Sequence, residues 1–168
     1  MSQPHVYVAL SGGIDSTIAA KKLLEHGYRV TGIHMETWLD PKAQKLSNAH
    51  PESAILAHFS SELLGIPFIS LDVREKFYSD IVQTFIQQYL IGHTPNPCLY
   101  CNPQFKWGIL QAYAYAYGGD YFATGHYARI QFQDSGNVKL LRGTDKTKDQ
   151  SYVLSMLSQS QLKRTLLP

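Results

Sequence analysis

Short apolar, β-branched runs alternate with helix-period patterns from His5 to Thr124, and this alternation limits the fold more than any other feature. His5–Leu10 (HVYVAL) reads as a buried strand. Ile14–His26 carries Ile14, Ile18, Leu23 and Leu24 near helical spacing, with Gly27 as its stop. Arg29–Met35 (RVTGIHM), Pro67–Val73 (PFISLDV) and Asp120–Thr124 (DYFAT) are three further strands. Glu36–His50 is polar and reads as a loop, and Pro51 suits the first turn of a helix ending at Gly65. Arg74–Ile91 and Gln104–Tyr117 read as helices. The pattern implies an α/β fold with a mainly parallel sheet and helices on both faces. Ligands of such sheets bind at the C-terminal strand ends, where the strand order reverses. The turn after the first strand, Met35, and the Gly125–His126 step after the fourth all fall there. Tyr127–Phe132 and Val138–Arg142 flank DSGN, a hairpin signal, and SQSQLKRTL near the end reads as a helix.

The turn after the first strand is Ala9–Ser16, ALSGGIDS. Glycines between a strand and a helix let a ligand approach the backbone closely. The free amides and dipole of the helix start then favour an anion. Ser11, Ser16 and Thr17 add hydroxyl donors. Asp15 is the odd member, because a carboxylate beside phosphates repels them unless a cation lies between, which implies Mg²⁺. The stretch has no P-loop lysine and is not G-x-G-x-x-G.

The second informative stretch is His93–Gly108, HTPNPCLYCNPQFKWG. Pro95, Pro97 and Pro103 argue against regular structure over Gly92–Pro103 and stiffen a loop that holds two thiols, Cys98 and Cys101. A start of helix at Gln104 would place Cys101 just before it and lower its thiol pKa. The pair admits half a zinc site, a redox pair, iron–sulfur ligands, a catalytic nucleophile, or two inert buried thiols. These are the only cysteines in the 168 residues, and a four-ligand zinc site needs two more ligands.

Charge is uneven. From Arg129 to Pro168 seven Lys/Arg face three Asp, so that segment is +4 and the rest is −2 within a net charge of +2. A polyanion touching the C-terminal third fits this, as does a plain solvated basic face. No apolar run reaches the roughly 20 residues that span a bilayer. The start MSQPHVYVAL lacks a basic n-region and a cleavage site, so the expectation is a cytoplasmic chain with no membrane partner.

The motif S-G-G-x-D-S at Ser11–Ser16 resembles the loop of N-type ATP pyrophosphatases, which cleave ATP between its α and β phosphates to adenylate a carbonyl oxygen. Thr94–Asn102 (T-P-N-P-x-x-x-C-N), Ala123–Tyr127 (ATGHY) and Lys148–Tyr152 (KDQSY) follow it in order. Together, over essentially the whole chain, they resemble the tRNA-specific 2-thiouridylases. That resemblance implies an adenine nucleotide alpha hydrolase-like, Rossmann-like fold. It implies ATP at Ala9, Leu10, Ser11, Gly12, Gly13, Ile14, Asp15 and Ser16, with Met35 receiving the adenine and Gly125 lining the site. Asn96, Pro97 and Cys98 match the segment that meets a flipped target base, Cys101 matches the catalytic cysteine, and Lys148, Asp149 and Gln150 match a tRNA-contacting stretch. The implied reaction converts the wobble uridine of tRNA to 2-thiouridine, with sulfur arriving as a persulfide from a sulfur-carrier protein.

Two departures from that family matter. Many members carry Asp where this chain has Cys98, so the base is supplied otherwise or Cys98 joins Cys101 on an iron–sulfur cluster. The family also uses a further downstream cysteine, which this sequence does not contain. The expectation is an ATP pyrophosphatase domain over 1–126 and, over 127–168, its hairpin and helical tail leading toward a central domain and a β-barrel. Turnover by these residues alone is expected to be incomplete. Another ATP pyrophosphatase-type ligase, or a nucleotide- and tRNA-binding fragment without catalysis, are the alternatives. His126 at a strand end and Lys106 beyond the cysteine loop are divided between site and structural roles. Gln150 and Ser151 could instead cap a helix. Tyr113, Tyr115 and Tyr117 have period two within a helix, so they read as packing residues.

Overall fold

The structure, a computed structural model, describes residues 3–38 and 52–168. The expected helix start at Pro51 and most of the Glu36–His50 loop lie outside the described residues.

Strand β1 (His5–Ala9) buries Val6, Tyr7 and Val8 almost completely, as a central strand covered on both faces must. It pairs in parallel with β2 (Arg29–Glu36) on one side and β4 (Tyr121–Ala123) on the other. Strand β3 (Phe68–Asp72) extends the sheet beyond β2, and β7 (Thr165–Leu166) extends it beyond β4. The order is β3-β2-β1-β4-β7, parallel throughout. The chain builds outward from β1 to β3 and then returns to the far side of β1. The strand order therefore reverses between β1 and β4, where the ligand crevice of this sheet type forms.

Helices α1 (Ile14–Glu25) and α2 (Glu52–Leu64) cover one face. Ala20, Leu23 and Ala57 pack there on Val6, Val8, Val30 and Ala123. Helix α1 stops at Gly27, whose φ of +80° suits a residue without Cβ. Its amide bonds Leu24 O at 2.9 Å while Tyr28 N bonds Leu23 O at 3.1 Å, closing the last turn. Helix α3 spans residues 74–90 as Arg74–Phe77, a π-helical Tyr78–Val82 and Gln83–Leu90. Helix α4 (residues 98–116) covers the opposite face of the sheet, where Trp107, Leu110 and Ala114 meet Tyr7, Ile33 and Phe122. The hairpin β5 (Ala128–Phe132) and β6 (Val138–Arg142) contributes Ala128 and Val138 to that same core. No described helix is long and apolar enough to cross a membrane.

Two expectations need correcting. Helix α4 spans residues 98–116 and begins at Cys98, so Gly92–Pro103 is not irregular to its end. Asn96 starts it: its Oδ1 accepts from Cys98 N at 3.1 Å, and Cys101 N reaches Pro97 O at 2.8 Å. Pro103 has no N–H for Leu99 O, and in α register its ring would strike that carbonyl. The helix widens instead to a π-helical Asn102–Leu110. The tail SQSQLKRTL is also not one helix. A short α5 (Gln159–Leu162), capped reciprocally by Ser158 and Gln161, gives way to β7. Thr165 is fixed there by the indole N–H of Trp107, 2.7 Å from its hydroxyl, and β4 takes up the backbone through Phe122 N to Arg164 O at 2.9 Å.

Candidate functional site

The loop after β1 is built to leave amides free. Gly12 has φ +82°, and a Cβ on it would lie 2.6 Å from Leu56 Cβ, so α2 packs directly on the turn. Ser16 Oγ accepts from Ser11 N at 3.2 Å and donates to Gly13 O at 2.9 Å, which holds the turn closed. The first intrahelical bond is Thr17 N to Gly13 O at 3.2 Å, so the amides of Ile14, Asp15 and Ser16 precede it and face outward. Gly125, after β4, rests on this same turn. A Cβ there would fall 2.8 Å from the Asp15 carbonyl and 3.0 Å from Ser16 N. Backbone on backbone cannot yield, so Gly125→Ala should cost about 1–3 kcal/mol and pry β4 from α1. A lower urea midpoint together with weakened nucleotide binding by calorimetry is the expected result; unchanged values for both would contradict the close approach.

Between these segments lies a cavity of about 360 Å³. Of the residues expected at the nucleotide, Ala9, Leu10, Ser11, Asp15, Ser16, Met35 and Gly125 line it, and Gly12, Gly13 and Ile14 lie in the same turn. Gln150 lines it too, tied to Tyr127 by Tyr127 N to its Oε1 at 3.0 Å and by its own N to Tyr127 O at 2.8 Å. Tyr127 OH donates to Asp15 Oδ1 at 2.9 Å, and Lys148 Nζ lies 5.6 Å from the Tyr127 ring centre. One carboxylate beside this turn would suit Mg²⁺, which takes few protein ligands plus phosphate oxygens. Asp149 serves its own loop instead, since its carboxylate accepts from Gly143 N at 2.9 Å and Ser151 N at 3.1 Å. These amide bonds hold its pKa below the usual aspartate value.

His34, Thr124, Lys106 and His126 also line the cavity. His34 Nδ1 donates to Leu10 O at 2.7 Å, and among the described residues Nε2 is a buried acceptor without a hydrogen-bond partner. Lys106 Nζ sits 3.4 Å from His126 Nε2, and His126 Nδ1 is 2.8 Å from Thr124 Oγ1. An ammonium only donates, so Nε2 accepts and Nδ1 carries the proton. Burial first, and the Lys106 charge second, take the His126 imidazole from 6.5 down to about 3. An unfolded chain would protonate it near 6.5, so between 6.5 and about 3 the unfolded state binds the extra proton. Stability should therefore fall as pH drops through that window. His126→Gln is expected to flatten the slope, read as urea midpoints above and below pH 6.5. Equal slopes in both proteins would contradict a neutral buried imidazole.

The thiols stand apart from the cavity wall. Cys98 is exposed and Cys101 half-buried. Burial raises the Cys101 thiol, with the Lys106 charge opposing it, so the expected depression by a helix start does not hold. Asn96 and Pro97 line a second cavity of about 500 Å³ with Asp80, Phe85 and Tyr100. Among the described residues no group of three His, Cys, Asp or Glu stands together. Tyr127, Thr124 and His34 went unnoticed in the sequence as site residues, although Tyr127 ends the ATGHY motif and His34 adjoins Met35.

A parallel sheet with its crevice at the β1/β4 reversal, and a glycine turn closed over by Gly125, define a Rossmann-like nucleotide-binding domain. The chain belongs to the tRNA methyl transferase HUP domain family, whose profile matches residues 4–168. It is 45% identical over 175 aligned residues to the tRNA-specific 2-thiouridylase MnmA of Natranaerobius thermophilus, covering 100% of this chain and 48% of that protein. With the protein of the same name from Carboxydothermus hydrogenoformans it shares 43% identity, over 97% of this chain and 46% of the relative. The chain thus spans about half the length of the curated relatives it matches. A solved structure, a predicted subunit of tRNA methyltransferase from Methanocaldococcus jannaschii, shares the fold with a TM-score of 0.59 at 18% identity, over 98% of this chain and 67% of that one.

Proposed function

We propose that this chain carries the ATP-activating domain of a tRNA uridine 2-sulfurtransferase. The observation that most supports the reading is the joining of three motifs. The Ser11–Ser16 turn, Gly125–His126 and Gln150 line one cavity, and the helix bearing Cys101 sends Lys106 into it. In this reading ATP lies with its adenine end toward Met35 and its phosphates on the Ile14–Ser16 amides. Asp15 would hold Mg²⁺ there, supplying charge neutralisation to the phosphates.

Uracil O2 attacks the α-phosphorus, and the bond to the β-phosphate breaks with pyrophosphate taking the electron pair. Adenylation makes O2 a good leaving group. The Cys101 thiolate then attacks the inner sulfur of a persulfide delivered by a sulfur-carrier protein, forming a disulfide and releasing the outer sulfur as hydrosulfide. Hydrosulfide attacks C2, the C2–O2 bond breaks, and AMP departs with the oxygen. Asn96, Pro97 and Cys98 receive the target base, which must leave its stack to reach the reacting atoms. Lys148 and the basic hairpin residues Arg129, Lys139 and Arg142 bind tRNA phosphates, so affinity falls steeply with salt. Asp149 shapes the loop that presents Lys148. The same reading places the protein in the cytoplasm with its tRNA.

The test is mass analysis of tRNA nucleosides from cells lacking the full-length protein. Loss of a sulfur-for-oxygen exchange at the wobble uridine supports the reading. Intact 2-thiouridine with loss of a methyl group elsewhere would replace it with methyl transfer.

A further inference from the structure

The anion cradle contains no lysine of its own, yet one cation reaches it from another element. Among the described residues lining the nucleotide cavity, Lys106 is the only lysine or arginine. Its ammonium is steered by His126 Nε2 at 3.4 Å, and His126 follows the glycine that rests on Asp15 and Ser16. Lys106 therefore stands near the Gly125–Ser16 contact, beside the glycine turn.

The opposite neighbour of Lys106 is Cys101. In an α-helix, five residues turn through roughly 500°, leaving Lys106 about 140° around the axis from Cys101. A π-helix closes i→i+5 bonds and brings residues five apart toward one face. Helix α4 is π-helical over Asn102–Leu110, with Pro103 near its start. The π-helical widening thus turns the Cys101 and Lys106 side chains toward one face of the helix. Each acts on the other: the Lys106 charge opposes the burial that raises Cys101, and Cys101 opposes the burial that lowers Lys106. Among the described residues, the other titratable groups nearby are Cys98 on the same helix, His126 on the β4–β5 connection, and Asp15 and His34, which line the same cavity.

We propose that Lys106 is a catalytic residue shared by both half-reactions, pairing with the ATP phosphates during adenylation and with the Cys101 thiolate during sulfur transfer. It supplies the cation that the glycine turn lacks, and no bond to it forms or breaks. The proposal rests on the cavity being an ATP site.

Two measurements on this chain test it, each with Lys106→Met, Lys106→Gln and Lys106→Arg. In calorimetry with ATP and with adenosine as separate probes, Met and Gln should weaken ATP about tenfold or more and leave adenosine unchanged. Arg should retain most of the ATP affinity. In a Cys98→Ser background, iodoacetamide at one fixed pH should alkylate Cys101 several-fold more slowly in the Met and Gln variants, with Arg restoring the rate. Equal ATP affinity or equal alkylation in whichever neutral variant remains folded would overturn the shared role. A wild-type chain that binds no ATP would instead overturn the reading of the cavity itself.

Discussion

Asp15→Asn is expected to reduce ATP–pyrophosphate exchange in the full-length enzyme by about 10²–10³-fold, the range found when one charge-stabilising group is removed from an active site. Asn keeps an oxygen to accept from Tyr127 OH, now 2.9 Å from Asp15 Oδ1, so the loop should stay folded. What changes is the charge. A lone carboxylate repels phosphates, whereas one holding Mg²⁺ would attract them. The sign of the effect on binding should therefore depend on the metal. With Mg²⁺ the variant should bind ATP more weakly than wild type, and with EDTA at least as tightly. Asp15→Ala should repeat both results, since the exposed Tyr127 hydroxyl it releases can bond water instead. Wild-type exchange in both variants would sink the assignment of Asp15 to the nucleotide.

The parallel sheet was legible because β1, β2 and β3 are long enough to show their apolar runs and each helix between them ends on a glycine. The glycine turn was legible because its constraints are local: a positive φ at Gly12 and amides left over at a helix start. What escaped the sequence depends on partners distant along the chain. Strand β7 is two residues long and exists because β4 has an open edge and Trp107 reaches Thr165. Pro103 read as a helix breaker because propensity does not register a π-helical detour, which costs less here than exposing Phe105 and Trp107, both buried. Cys101 read as an activated thiol because helix position is visible in sequence and burial is not. The Lys106–His126 pair joins residues 20 apart, and only the fold brings them face to face across the cavity mouth.

Cys101→Ser in the full-length enzyme is expected to lower thiolation by on the order of 10³-fold or more, as loss of a nucleophile does. The substitution changes little in shape, so packing against Phe105 and Val73 in the small core beside it should survive. The thiol does not line the nucleotide cavity, and ATP affinity and pyrophosphate release should therefore stay within a few-fold of wild type. These two outcomes together make a third. Activation without sulfur transfer leaves adenylated tRNA, so label placed on the α-phosphate of ATP should accumulate on tRNA in the variant and not in wild type. Cys98→Ser separates the two thiols, because Cys98 is exposed at the first turn of α4 and lies next to the Asn96–Pro97 edge of the second cavity. If Cys98 serves the target base, its variant should lose adenylation and trap no label. Full thiolation by Cys101→Ser would remove sulfur chemistry from α4 and leave the helix only its cation to offer the nucleotide.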